Sequence, residues 1–470
     1  MTVVLSNLTS EEMKAAPMQL HWVEKIARIT FAVYFFFIFF GTSMPFQERS
    51  QDVGDIGTSN ILNQLIFTTL FLTSSLCLAY SHRRLAAFIK REKFLTIFLA
   101  WCLLSVVWSQ FSFPSFKRLF QIFTTVTVCA AFLLNTKNSA DYFKVFKNIL
   151  TLYIFASFLS VALVPGAIDP DHDNGAWRCL AHSKNFLGQT AVVSILIWFF
   201  ALQNPESRRD KRFSLLMLFL SLVLLAGTRS MTSILTFGVL AGFGALLWID
   251  KQMKPMGVGH AFSALILFAA VSLISVFLFL APEILASAPG LVGKDLTFTG
   301  RTDLWLDILD ETGRHWLIGC GFSGFWVVDN EAVLALYKRY IWLPNEAHNG
   351  YLDLVNEVGV VGLAMLLMMC VHFFRKLSAA PDSGFLKWIV IIVLIMNLQE
   401  STLFRQNILT GVMFIFAYVA VFAREPRALP ETQTANAGGE VSGKNRIQTS
   451  RHETVHFSRN KLESRSRSRI

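Results

Sequence analysis

Long apolar blocks alternate with short polar connections along almost the whole chain. A helix needs about 20 apolar residues to cross a bilayer. On that rule the pattern predicts spans near 26–44, 61–80, 94–109, 117–134, 148–166, 186–202, 213–227, 231–249, 260–281, 347–373, 385–400 and 405–423. One long polar excursion, centred on Thr299–Asn345, interrupts the rhythm. The expected fold is an all-α polytopic membrane protein with about twelve transmembrane helices and one large periplasmic loop. Its divisions are an N-terminal cytoplasmic segment (1–25), a first set of spans (26–281), the loop with an amphipathic helix (282–346), a second set of spans (347–423) and a disordered basic tail (424–470).

Charge gives the blocks a direction. Every second connection is basic: Arg83, Arg84, Lys90, Arg91 and Lys93; Lys137, Lys144 and Lys147; Arg208, Arg209, Lys211 and Arg212; Lys251 and Lys254; Arg375, Lys376 and Lys387. The intervening connections are neutral or acidic, as with Asp52 and Asp55 or Asp169, Asp171 and Asp173. Basic loops stay in the cytoplasm, so both termini are expected there and 282–346 on the outer face. Only 16% of residues are charged, against about 25% in soluble proteins. The net charge of +10 therefore reflects orientation signals and a tail suited to anionic lipid, not nucleic-acid binding. The first apolar run lacks a small-residue cleavage site and reads as a retained span rather than a signal peptide.

Cys77, Cys102, Cys129 and Cys370 fall in apolar spans, whereas Cys179 and Cys320 fall in loops assigned to the oxidising side, where a disulfide between them is expected. The chain has no phosphate-binding Gly-rich loop with Lys, no paired-Cys motif and no HExxH helix. Asp169, Asp171 and Asp173 are followed by a glycine that is out of place for a calcium loop, and no glutamate stands at the closing position. No metal and no cofactor are expected.

Candidate chemistry gathers at the outward connections. Arg229 lies in a tight turn before Ser230, Thr232 and Ser233, which open a span; free N–H groups and the helix dipole there favour phosphate. The structural alternative is an arginine snorkelling to the interface. Arg301 starts a segment with Leu304, Trp305, Ile308 and Leu309 on one face, predicting an amphipathic helix on the membrane surface with Arg301 at its anion-binding end. In Asn345-Glu346-Ala347-His348-Asn349, Asn345 is expected to cap the next helix. His348 would then occupy the first turn, where the dipole keeps imidazole neutral and able to accept a proton. Asn349, Asp353, Asn356 and Glu357 extend a polar stripe along that helix; inside a span such residues mark either function or a helix-packing network. The cluster Trp177–Asn185 adds Arg178, His182 and Lys184, candidates for an anion or a sugar.

Arg229 after its serine- and threonine-rich turn, the pair Gly300-Arg301, and His348-Asn349-Gly350-Tyr351-Leu352 followed by Glu357 and Gly359 together resemble the O-antigen ligase and polymerase family. His182-Ser183-Lys184-Asn185 before a span is most similar to its exopolysaccharide-polymerase branch. The motifs cover roughly 170–365. The resemblance implies a bacterial inner-membrane enzyme without a metal or cofactor, acting at the periplasmic face on polyprenyl-pyrophosphate-linked oligosaccharides. Arg229 and Arg301 would hold the pyrophosphate and His348 would deprotonate the acceptor hydroxyl. Arg178, His182, Lys184, Asn349, Asp353 and Glu357 would contact substrate. Flippase and chain-length or export proteins would be partners alongside membrane lipid. The rivals are an O-antigen ligase acting on lipid A core and a lipid-linked-sugar flippase or secondary transporter. The latter would carry charges deep in several spans, whereas here they collect at one face.

Overall fold

The computed structural model describes residues 10–41, 61–136, 141–169, 175–253, 299–340, 343–377, 384–405 and 407–423. The predicted span 260–281, the tail 424–470, and Asp171 and Asp173 lie outside them. Each of the other predicted spans coincides with a helix. In chain order these are α1 (Ser10–Phe40), α2 (Ile61–Tyr80), α3 (His82–Arg91), α4 (Phe94–Ser105), α5 (Ser112–Asn135), α6 (Asp141–Leu163), α7 (Lys184–Gln203), α8 (Arg208–Thr228), α9 (Met231–Met253), α10 (Thr299–Gly313), α11 (Glu331–Arg339), α12 (Gly350–Leu377), α13 (Gly384–Met396) and α14 (Leu409–Ala423). Among the described residues, α2, α5, α6, α7, α8 and α12 are six helices long and apolar enough to cross a membrane; α4, α13, α14 and part of α9 are shorter apolar helices. The chain is a nearly all-helical polytopic membrane protein. The amphipathic α3 and α11 were not separated from their connections by hydropathy, and a two-residue antiparallel pair, Ile168–Asp169 with Ala176–Trp177, closes the loop before α7.

α14 is buried along its whole length. A helix that is apolar on every side belongs in the interior, and α14 packs on α5, α12 and α13. Lipid is as apolar as these side chains, so close packing, not exclusion from water, holds them together. The phenylalanines supply it: Phe31 stacks on Phe132 with centroids 4.1 Å apart, and Phe146 meets Phe35 at 4.9 Å and Phe416 at 5.1 Å.

Polar ties mark the two ends of the bundle. At one end Arg28 pairs with Asp141, Lys147 with Asp210 at 2.7 Å, and Asn135 Nδ2 donates to Ser81 Oγ at 3.2 Å. These bonds join the basic connections. The opposite end gathers the start of α5, α7, α9, α12 and α14 with the close of α4, α8 and α13.

There α12 is broken at Gly359 (φ 73°, ψ 179°). The break strips neighbouring backbone groups of helical partners, which within a membrane must be satisfied internally. Residues 316–321 supply those partners. Trp316 and Leu317 accept from the N–H groups of Val360 (2.9 Å) and Val361 (3.3 Å), while Cys320 and Gly321 donate to the carbonyls of Asn356 (3.0 Å) and Glu357 (2.9 Å). A Cβ on Gly359 would lie 2.1 Å from the Leu317 carbonyl oxygen, and one on Gly319 2.3 Å from that of Glu357, so neither position accepts a side chain. Arg118 then clamps the next turn, donating to the carbonyls of Ser323 (2.6 Å) and Trp326 (2.8 Å).

α10 forms where the amphipathic helix was expected, with Arg301 in its first turn. Its apolar face, however, packs on protein. Leu304 and Ile308 join Phe325, Trp326, Val333, Leu336, Tyr340 and Ala347 in a second core, and Trp305 donates to the Ala347 carbonyl at 2.8 Å. Leu309 alone of the four predicted contacts is exposed. Cys179 and Cys320 are both free thiols, Cys179 being buried, so the expected disulfide is not formed.

Candidate functional site

The site is built on the loop between α13 and α14. The predicted span 385–400 ends early: α13 stops at Met396, and Asn397 organises the turn beyond it. Its Oδ1 accepts from Thr402 N (3.1 Å) and Leu403 N (3.0 Å), and its carbonyl accepts from Gly350 N at 2.8 Å. The stretch Gln399–Arg405 is thereby fixed against the start of α12. It carries Glu400, 6% exposed, into the centre of a polar cluster.

Glu400 joins residues far apart in sequence. Its Oε2 meets His348 Nδ1 at 3.1 Å, and its Oε1 accepts from Arg301 Nη2 at 3.3 Å and Asn185 Nδ2 at 3.0 Å. Arg301 Nη1 also donates to the Gln399 carbonyl at 2.7 Å. Asn185 Oδ1 accepts from Ser230 Oγ at 2.9 Å, which brings in the turn carrying Arg229. Arg229 caps α8 in the left-handed conformation (φ 49°) and is exposed. Of the three predicted catalytic residues, the fold thus joins His348 to Arg301 through one carboxylate. It sets Arg229 next to a serine on the same network.

His348 differs from expectation in position and charge. Asn349, not Asn345, caps α12, accepting from Tyr351 N (3.1 Å) and Leu352 N (3.2 Å). His348 precedes that cap in a left-handed conformation (φ 49°), outside the first turn. Its Nδ1 also meets Glu346 Oε1 at 3.0 Å. Burial alone lowers an imidazole pKa, but the hydrogen bonds to Glu346 and Glu400, together with their charges, outweigh it and push His348 up to about 9. The resting residue is an imidazolium, because two carboxylates at contact overcome the cost of burying its charge. Burial by itself pushes the Glu400 carboxyl up, but the hydrogen bond and charge of His348, with the charge of Arg301, bring it below the ordinary range.

Glu346, His348 and Glu400 also offer donor atoms within 4.8 Å of one another, a spacing compatible with a metal ion. Their surroundings suit the imidazolium better. Each carboxylate already faces a guanidinium, Arg301 at 3.3 Å from Glu400 and Arg405 at 3.8 Å from Glu346, and a divalent cation would sit against both positive charges.

The remaining predicted residues divide. Asp353, 4% exposed, accepts from Trp326 Nε1 (2.7 Å), Ala347 N (3.1 Å), Arg405 Nη2 (3.2 Å) and Ser401 Oγ; it locks the His348 loop to α12. Glu357 accepts from Ser323 N at 3.0 Å and secures the turn that Arg118 clamps. Asn356 takes bonds from Thr312 Oγ1 (3.0 Å) and His315 Nε2 (2.9 Å), tying α10 to α12. The bonds of this stripe tie α12 to α10 and to the loops around the site. Arg178 bonds the Gly166 carbonyl and braces the loop before α7. His182 is exposed and lies against Phe186 with ring centroids 4.9 Å apart; Lys184 is the first residue of α7.

Sequence reasoning missed Glu400 and Arg405. The signal was present: both are ionisable residues at the edges of apolar spans, the criterion that singled out Glu357. Asn185 was visible only as part of a cluster.

Residues 216–367 match the family described as O-antigen ligase. The chain is similar to exopolysaccharide production protein ExoQ of Rhizobium meliloti (strain 1021), at 27% identity over 156 residues, 32% of this chain and 35% of the relative. It is also similar to proteins provisionally described as polysaccharide ligases. The one from Rickettsia conorii (strain ATCC VR-613 / Malish 7) is 24% identical over 207 residues, 42% of this chain and 46% of the relative. The one from Rickettsia bellii (strain RML369-C) is 24% identical over 318 residues, 64% and 71% respectively. The chain thus spans about a third of the ExoQ protein and just under half of the R. conorii relative. These likenesses bear out the resemblance drawn from motif order. The family match holds Arg229, Arg301 and His348, whereas Asn185, Glu400 and Arg405 lie outside it.

Proposed function

We propose that this protein transfers glycan from a polyprenyl-pyrophosphate-linked oligosaccharide to a sugar hydroxyl, extending exopolysaccharide repeat units at the periplasmic face of a bacterial inner membrane. The observation that carries the reading is Glu400, one buried carboxylate holding Arg301 and His348 side by side at the end of a membrane bundle. Likeness to an exopolysaccharide production protein supports the substrate class.

The acceptor hydroxyl oxygen attacks the anomeric carbon, forming a C–O bond. The bond from that carbon to the lipid pyrophosphate breaks, and its electron pair leaves with the phosphate oxygen. Arg301 and Arg229 stabilise the departing charge by preorganised, charge-assisted hydrogen bonds. The hydroxyl proton passes to His348 in its neutral form, so the resting imidazolium must first lose a proton. The dual carboxylates make that histidine a strong base at the cost of a small neutral fraction at pH 7. Asn349, Asp353 and Glu357 keep the loop in place, and Arg178, His182 and Lys184 flank the incoming glycan. Flippase and chain-length or export proteins are the partners this role requires.

The test is reconstitution in liposomes with lipid-linked donor and sizing of the glycan on a gel. His348→Gln should lose about 100- to 10,000-fold in rate, the usual range for a general base, and EDTA should leave wild type unaffected. Near-normal turnover in the variant, or abolition by EDTA, would overturn this mechanism. A second reading, ligase rather than polymerase, draws on the rickettsial relatives. Deleting the gene separates them: a polymerase leaves single repeats, and a ligase leaves long unattached chains.

A further inference from the structure

We infer that Glu400 is a positioning residue that orients His348 and Arg301 toward one substrate and governs the proton on His348, a role that rests on the reading above. The argument is geometric. The two carboxylate oxygens have separate duties: Oε2 faces His348, and Oε1 accepts from both Arg301 and Asn185. The Asn185 amide is fixed in turn, since its Oδ1 takes the Ser230 hydroxyl at 2.9 Å and only its Nδ2 is left for Glu400. Ser230 Oγ lies 3.0 Å from Thr232 Oγ1 and 3.2 Å from Ser233 Oγ at the start of α9. The carboxylate therefore meets donors from α7, from α10 and from the loop before α12, and through Asn185 it reaches the turn of Arg229. A shift of any of these elements changes how Glu400 is shared.

A charged acceptor is needed at both oxygens. A glutamine amide has one acceptor and one donor end. Turned either way, it sets its NH₂ against Arg301 and Asn185 or against the Nδ1 proton of His348. Glu346 is not equivalent. It faces His348 at 3.0 Å and Arg405 at 3.8 Å and lies beside Glu400, but among the described residues it makes no ion pair with Arg301. Among the described residues, the charged groups paired around His348 include Glu346 on its own loop, with Arg405 and Asp353 behind it, and Glu400 on the α13–α14 loop, with Arg301 from α10 behind it.

The experiment measures His348 directly. Purified protein in detergent is treated with diethyl pyrocarbonate across pH, and carbethoxylation of the His348 peptide is followed by mass spectrometry. The midpoint of reactivity should fall by about one pH unit or more in Glu400→Gln, since an anionic contact has been removed. The KM for lipid-linked donor should rise severalfold in the same variant. Glu346→Gln should lower the midpoint and leave donor KM near wild type. If Glu400→Gln cannot be recovered folded, Glu400→Asp carries the test. It keeps the charge but draws it back, and the midpoint should fall by a smaller step. A wild-type midpoint in either folded Glu400 variant overturns the inference, as does an equal rise in donor KM for Glu346→Gln. Labelling needs no turnover, so a shifted midpoint in a protein that transfers no glycan would sink the glycosyl-transfer reading while upholding control of His348 by Glu400.

Discussion

In the proposed reaction, His348 couples chemistry to stability through its proton. An unfolded histidine titrates near 6.5, and in the fold the value is about 9. A raised folded pKa contributes stability that is whole below about pH 6.5 and is lost as pH rises through about 9. Detergent-solubilised protein should therefore melt at a lower temperature at pH 9 than at pH 6.5, and His348→Gln should lack most of that decline; a variant with the wild-type slope would contradict the assignment. Removing a partner is a different matter. Asp353→Ala would leave Arg405 poorly exposed and without its closest carboxylate, a change that typically costs about 3–5 kcal/mol, and should appear as a large loss of melting temperature. At this scale the sequence was half legible. The residue types that the proposed chemistry needs were visible at Arg229, Arg301 and His348. The charge state of His348 was not, because it depends on Glu400, 52 residues beyond it in the chain.

Among the elements, α12 is the one the site depends on. Its apolar run was plain in the sequence, but the break at Gly359 was not: glycines within an apolar run are tolerated in many membrane helices. The loop that satisfies the break carries Trp316 and Leu317, about 40 residues earlier, and no local pattern announces such pairing. Gly359→Ala tests it. The added Cβ would meet the Leu317 carbonyl at 2.1 Å in a backbone conformation that L-residues avoid. Strain of this kind costs about 1–3 kcal/mol or more, so the variant should melt lower and release residues 316–321 to faster proteolysis. Unchanged melting and cleavage would mean that the loop is not held by the break. The apolar face of α10 teaches a related point. Its period foretold the helix, but not whether membrane or protein would cover Leu304 and Ile308.

For the whole molecule, alternation of basic and neutral connections and the polar ties at opposite ends describe the same bundle. Its sidedness is open to direct test: alkaline phosphatase fused after Asp329 should be active, and fused after Lys254 inactive. The reverse pattern would put His348 in the cytoplasm, where periplasmic lipid-linked donor is absent. The central claim is that neutral His348, held by Glu346 and Glu400, takes the acceptor proton. The pH dependence of kcat/KM reports the essential groups of the free enzyme. With reconstituted protein and lipid-linked donor, kcat/KM should climb with pH and level off above about 9, and the climb should be missing in His348→Gln. A rate that falls as pH rises toward 9 would contradict the account, since it would make the imidazolium, not the base, the working form.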